Sequence, residues 1–219
     1  MNPIDLQSCL REFYPKPKSQ VLYGDHCELH PLNKAKHALA LYKVFSLDNT
    51  HANWQYLPYG PFYSETEFIA WIDKFCTQAD PLFYVVYIGN SLEPVGVTSL
   101  LNIKPNHGSI EIGHVHFSPR LRQTAASTEA HYLLMQYIFE QLGYRRLEWK
   151  CDEANDRSKQ CARRLGFTFE GIFRQHMIVK SANRDTAWFS MLDKEWPDIK
   201  ARLEHWLNPN NFTRDGQQL

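Results

Sequence analysis

The chain has 219 residues, with 24 Lys+Arg against 24 Asp+Glu, 43% hydrophobic residues and 22% charged ones. That suits one well-filled globular domain and gives no global basic field to draw in nucleic acid, and no Lys/Arg run exceeds two residues. No apolar stretch approaches the ~18 residues that span a bilayer, and Met1-Asn2-Pro3-Ile4-Asp5 lacks the basic and apolar regions of a signal peptide. Neither nucleic acid nor membrane is therefore expected as a partner, and the cytoplasm is the expected location. Cys9, Cys27, Cys76, Cys151 and Cys161 are odd in number and form no CxxC, which predicts reduced core thiols rather than disulfides or a zinc site.

Residues 1–20 are polar, with Pro3, Pro15 and Pro17, and read as an arm lying against the domain. A strand is expected over 21–29. A helix follows, with Ala35, Leu39, Tyr42 and Phe45 near one face. The aromatic stretch 51–63 contains Pro58, Gly60 and Pro61, which prevent regular structure. Ser64 and Glu67 form a capping box for a second helix with Phe68, Trp71, Ile72 and Phe75 inward. Strands at 82–88 and 95–101 flank a turn, and a third strand spans 109–117. A helix is expected from 128 to 142, with Gly143 as its C′ residue. A strand at 147–151, a helix at 156–165 closed by Gly166, and strands at 167–179 and 185–192 around a turn at 180–184 complete the sheet. A last helix covers 196–207, and the polar tail 208–219 is expected to be loose. One domain over 21–207 follows, of α/β (α+β) type: a mixed sheet with helices on its faces.

The junction of the third strand with its helix is the most informative stretch. After Pro119 come Arg122, Thr124, Ala125, Ala126, Ser127 and Thr128. A helix N-terminus offers free N–H groups and the positive end of its dipole, which suit a pyrophosphate. Small residues allow close approach, Arg122 adds a cation, and Thr124, Ser127 and Thr128 add hydroxyls. The same residues also make an ordinary capped connection.

Here the sequence resembles the GNAT acetyltransferase superfamily. E-I-G-H-V-H-F-S-P at 111–119, R-x-x-A-x-S at 122–127 and T-E-A at 128–130 resemble its acetyl-CoA motif. Asn155 and Ser158, with Leu165-Gly166-Phe167, are similar to its second motif. The closest likeness is to the RimJ/RimL-type branch, which contains the acetyltransferases of ribosomal-protein N-termini. The resemblance implies a GNAT-like, mostly antiparallel twisted sheet with helices on both faces. It implies acetyl-CoA as co-substrate, no metal, and direct attack by a primary amine, a protein N-terminus or a small molecule, in a ternary complex. Ala125 and Ser127 replace the family's small glycine-type residues, and Ala162 stands where many members carry a tyrosine acid. That vacancy leaves open a CoA-binding module without transfer. Monomer and homodimer are both compatible with the sequence.

The resemblance places the backbone of Val115, His116 and Phe117 against the acetyl carbonyl and pantetheine, and Asn155 on the pantetheine amides. Glu111 is the first candidate base, and Ser158 the candidate acid. His114 and His116 have opposite parity to Glu111 and would face the other side of a regular strand; either is an alternative base or water-holder. Their spacing also suits a metal pair, but no third ligand is evident. Substrate contacts are expected from Trp54, Tyr56, Tyr59 and Phe62, together with His114, His176, Arg184 and Asp185. Cys161 has no recognisable His/Asp partner and reads as core filler.

Overall fold

A computed structural model describes residues 12–212 apart from Asn90. Cys9 and the outer parts of the arm and tail lie outside the described residues. The strands are β1 (Leu22–Tyr23), β2 (Cys27–Pro31), β3 (Leu82–Ile88), β4 (Pro94–Lys104), β5 (Ser109–Phe117), β6 (Arg146–Asp152), β7 (Thr168–Val179) and β8 (Ala182–Leu192). They form one sheet in the order β1-β2-β3-β4-β5-β6-β8-β7. Only β5 and β6 run parallel; every other pair is antiparallel. The helices are α1 (Lys34–Phe45), α2 (Glu65–Trp71), α3 (Ala125–Gln136), α4 (Asp156–Leu165) and α5 (Trp196–Leu207).

Strand alternation divides the interior into two cores. On one face Tyr84, Val86, Ile110, Ile112, Trp149 and Phe189 pack with α3, α4 and α5. On the other, Phe83, Val85 and Val97 pack with α1, α2 and Trp54 of the aromatic stretch. Alternating side chains of β3 feed both cores, as period-2 geometry requires. The arm's Tyr14 is buried against Tyr144, with ring centroids 5.4 Å apart.

Several elements differ from expectation for local reasons. The strand expected over 21–29 is two strands, broken at Gly24. Their turn is clamped by the buried carboxylate of Glu129, which accepts from the backbone N–H groups of Asp25, His26 and Cys27 at 2.9, 2.7 and 2.7 Å. In α1 the inward face is His37, Ala38, Leu41, Val44 and Phe45, and Leu39 is exposed. After Trp71 the second helix widens into a π-turn over Ile72–Cys76. The wider turn carries Cys76 inward and leaves Phe75 outside. Glu67 accepts from the amide of Tyr63, one residue before the expected capping-box partner, while Ser64 caps Glu67 as expected. The last hairpin turns tightly on Lys180 and Ser181, both at positive φ. Pro209–Asn211 form a short 3-10 turn and Phe212 packs on Trp206, so the first residues of the tail are docked rather than loose. Cys27, Cys76 and Cys151 are buried free thiols, and Cys161 is a half-buried one.

Candidate active site

The site is built where β5 and β6 part. Their parallel register runs Ser109↔Arg146, Ile110↔Leu147, Glu111↔Glu148 and then stops, although β5 continues to Phe117 and β6 to Asp152. On its other edge β5 stays paired with β4 through a bulge: Val97 faces His116, Ser99 faces Gly113, and His114 and Val115 share the space opposite Thr98. His114 takes a left-handed φ of 51° there. One extra residue reverses the alternation. Ile110 and Ile112 point into the first core, so Glu111 points to the opposite face, and the bulge brings His114 and His116 to that same face. The parity expectation, which set the histidines against Glu111, is thereby corrected.

The two histidines are not alike. His116 is sealed between Trp54, whose ring centroid lies 3.9 Å away, and Phe45 at 4.1 Å. Both its ring nitrogens are buried without a partner among the described residues, and burial pushes its pKa down to about 3. Its side chain is a neutral packing element with no access to a substrate, which removes it as base or water-holder. His114 Nδ1 is 2.9 Å from the Tyr59 hydroxyl; burial, with Arg184 adding, pushes its pKa down to about 4. The Ser118 amide bonds to Val95 O at 3.0 Å. Alternation therefore turns the His116 backbone toward β4 as well, and leaves the Val115 and Phe117 backbone edge facing the opening. Asn53 Nδ2 donates to Phe117 O at 2.8 Å.

Around the opening lies a chain of charges. Glu111 Oε2 accepts from Asn102 Nδ2 at 2.7 Å and from Lys150 Nζ at 2.8 Å. Lys150 also contacts Glu148 at 2.9 Å and stands 4.0 Å over the Trp188 ring. Arg146 joins Glu148 to Glu170, which accepts from Ser190. Sequence reasoning missed Asn102, Glu148, Lys150 and Trp188. The alternation of Glu148 and Lys150 on one strand was the available signal, but the register that sets them beside Glu111 is tertiary.

On the opposite face, α3 begins at Ala125, not 128, with Thr124 as N-cap accepting from the Ser127 amide at 3.2 Å. The Ala125 and Ala126 amides, as the first two helical positions, have no intrahelical acceptor. Ser127 Oγ donates to Thr124 O. Thr128 Oγ1 accepts from Arg164 Nη1 at 2.9 Å, so the guanidinium seen at the first turn of α3 is that of Arg164. Arg122 is instead directed to Asn53 Oδ1 at 3.0 Å, with Asp48 3.8 Å away. Asn155 caps α4 through the Ser158 amide at 3.1 Å. Ser158 Oγ accepts from Trp149 Nε1 at 3.0 Å. Ala162 is buried in the core.

The aromatic stretch crosses the mouth of the opening. Tyr56 OH donates to Ala154 O at 3.1 Å, and Lys180 Nζ to Trp54 O at 2.7 Å, tying the stretch to the β6–α4 loop and to the tip of the last hairpin. Trp54 is a buried hub touching Tyr59, Phe62 and Trp71. On the hairpin, His176 Nδ1 is 2.9 Å from Thr186 Oγ1, Arg184 Nε donates to the same oxygen at 3.2 Å, and Asp185 accepts from the Gln175 amide. Tyr59 and His114 thus meet on one side, His176 and Arg184 share Thr186 on the hairpin, and Tyr56 ties to Ala154, while Trp54 is buried in the second core. Among the described residues no group of three His, Cys, Asp or Glu side chains is placed to hold a metal, and no helix is long and apolar enough to cross a membrane.

A parallel strand pair that splays beside a bulged strand, with an open helix start behind it, defines a class of acyl-group-transfer fold. The match to the Acetyltransferase (GNAT) domain family spans residues 27–168, and the chain belongs to that family, whose members use acetyl-CoA as co-substrate. A GCN5-related N-acetyltransferase from Brucella melitensis is 44% identical, covering 95% of this chain and 94% of that one, with a TM-score of 0.92. A GNAT-family structure from Chromobacterium violaceum ATCC 12472 is 43% identical over 90% of this chain and 100% of that one, with a TM-score of 0.82. YdaF of Bacillus subtilis (strain 168), provisionally named a ribosomal N-acetyltransferase, is 29% identical over 105 residues, 48% of this chain and 57% of its own length.

Proposed function

We propose that the chain transfers an acetyl group from acetyl-CoA to a primary amine by direct attack at the opening between β5 and β6. One observation carries the reading: the strands separate immediately after Glu111↔Glu148, beside a carboxylate on the acceptor face. When bound, acetyl-CoA supplies the activated acetyl carbonyl. The residues present fit it: the Ala125 and Ala126 amides, with the positive end of α3 and Arg164 beside Thr128, suit a pyrophosphate. The Val115 and Phe117 edge offers backbone groups for the pantetheine arm and the carbonyl.

Glu111 takes the proton of the attacking amine. Ser158 gives a proton to the departing sulfur and regains one from water: its oxygen accepts the Trp149 indole N–H, and its hydroxyl hydrogen, directed at Cys151, turns to the substrate sulfur. Asn155 fixes Ser158 by capping α4, and that positioning takes precedence over a pantetheine contact. Tyr59 and His114 on one side, backed by the buried Trp54, and His176 and Arg184 on the other, with Tyr56 at the rim, bound the acceptor. The name of YdaF, a ribosomal N-acetyltransferase, favours a ribosomal amine as acceptor. The aromatic stretch that spans the mouth favours a narrow entrance, through which an extended N-terminus or a small amine passes more readily than a folded surface.

The test is release of CoA thiol from acetyl-CoA against a panel of N-terminal peptides, lysine peptides and small amines, with the acetylated product identified by mass. At least one amine should accelerate release well above hydrolysis. CoA binding with no acceleration by any member of the panel would refute transfer and leave a binding module.

A further inference from the structure

The charged cluster on the acceptor face contains an ammonium to which the proposed mechanism gives no part. Trp149 and Cys151 point into the first core, so Lys150 between them points to the face that carries Glu111. Its side chain is 12% exposed, and its ammonium meets Glu111 at 2.8 Å, Glu148 at 2.9 Å and the face of Trp188 at 4.0 Å. Two carboxylates and an aromatic face fill the coordination of one ammonium group. Glu148 is itself held by Arg146 Nε at 2.9 Å, and Arg146 forks onto both oxygens of Glu170 at 2.8 and 2.6 Å. Lys150 is thus anchored from its far side.

The consequence falls on Glu111. Both of its donors, Asn102 and Lys150, meet Oε2, and Oε1 has no hydrogen-bond partner among the described residues. That free oxygen lies beside Gly113, where an added Cβ would stand 3.5 Å from it. A glycine at this point of the bulged strand leaves the approach to Oε1 open.

The geometry points to Lys150 as a positioning residue for acetyl transfer, holding Glu111 turned so that Oε1 faces the acceptor amine. The inference rests on Glu111 being the proton acceptor. Lys150 touches no reacting atom. It acts by fixing the rotation of the carboxylate, the positioning a general base needs.

The test uses the full chain in three variants: Lys150→Met, Lys150→Arg, and Lys150→Met with Glu148→Gln. The double variant removes one carboxylate together with the cation and so avoids leaving two buried charges uncompensated. Near-ultraviolet circular dichroism and CoA titration establish that each variant is folded. In the Met variants kcat is expected to fall roughly 10- to 100-fold, a part of what a general base supplies, with CoA affinity within about twofold. Lys150→Arg, which keeps a cation beside Glu111, should restore most of kcat, and the acceptor KM should stay within about twofold across the set. A folded, CoA-binding double variant with wild-type kcat overturns the inference while leaving acetyl transfer intact. A wild-type chain that acetylates no amine overturns the proposed function instead.

Discussion

Glu129 offers the sharpest test of what holds the acceptor-bearing sheet to α3. Its carboxylate is buried and accepts three backbone N–H groups from the β1–β2 turn, two on Oε2 and one on Oε1. Glu129→Gln keeps the shape and removes the charge. The amide oxygen still accepts one or two of these donors, but the NH2 group must face at least one remaining N–H. An unsatisfied buried donor costs about 1–3 kcal/mol, and weakening the other bonds from charge-assisted to neutral adds about 1 kcal/mol, for a total of about 3 kcal/mol. For a chain of this size that lowers the melting temperature by roughly 6–12 °C. Urea and thermal unfolding measure it directly. Glu140→Gln is the control: its carboxylate meets Lys200 at a half-exposed site and should cost about 1 kcal/mol or less. A Glu129→Gln loss no larger than that of the control would refute the claim that the turn is held by this carboxylate.

Three further outcomes are expected. His114, His116 and His131 are held neutral by burial, at about 4, 3 and 4 against 6.5 in the unfolded chain. A lowered histidine pKa means the unfolded chain binds more protons below pH 6.5, so stability is complete above that pH and is lost as pH falls toward 4. Each such histidine contributes a slope of up to about 1.4 kcal/mol per pH unit in that window. His116→Phe, which removes two unpartnered nitrogens while keeping the stack on Trp54, should flatten the slope by about that amount in urea titrations at pH 7, 6 and 5; an unchanged slope would count against a buried neutral ring. Arg164→Met should weaken CoA about tenfold by titration calorimetry, as for loss of one charge-assisted phosphate contact, whereas Arg122→Met should chiefly raise the acceptor KM by freeing Asn53; the reverse ranking would move the pyrophosphate site. Gly113→Ala places a methyl 2.9 Å from Leu101 and 3.5 Å from Glu111 Oε1, so kcat should fall at least about tenfold while CoA affinity is kept, since small displacements of a catalytic group are costly; wild-type kcat would argue against approach along that side.

Element order and type were legible because patterning and caps agree at most places: Ser64 caps α2, Gly166 closes α4, and β3 alternates into two cores. The start of α3 was not, because Thr124 and Ser127 are both good caps and only packing chooses between them. The π-turn after Trp71 and the bulge at His114 each insert a residue without any sequence sign, and each rotates the residues after it. Composition and motif pointed to Glu111 and Ser158, but the bulge decided which side chains share a face with Glu111. Lys150 and Arg164 reach the site only through the β5–β6 register and the α3–α4 packing.

The proposal of acetyl transfer at this opening rests most directly on Glu111 as proton acceptor. Initial rates of transfer to the best acceptor, with CoA affinity measured on the same preparation, compare the wild type with Glu111→Gln. Loss of the proton acceptor should lower kcat by roughly 100-fold or more and leave CoA affinity within about twofold. A Glu111→Gln enzyme that turns over at the wild-type rate would contradict placing the chemistry at the opening between β5 and β6.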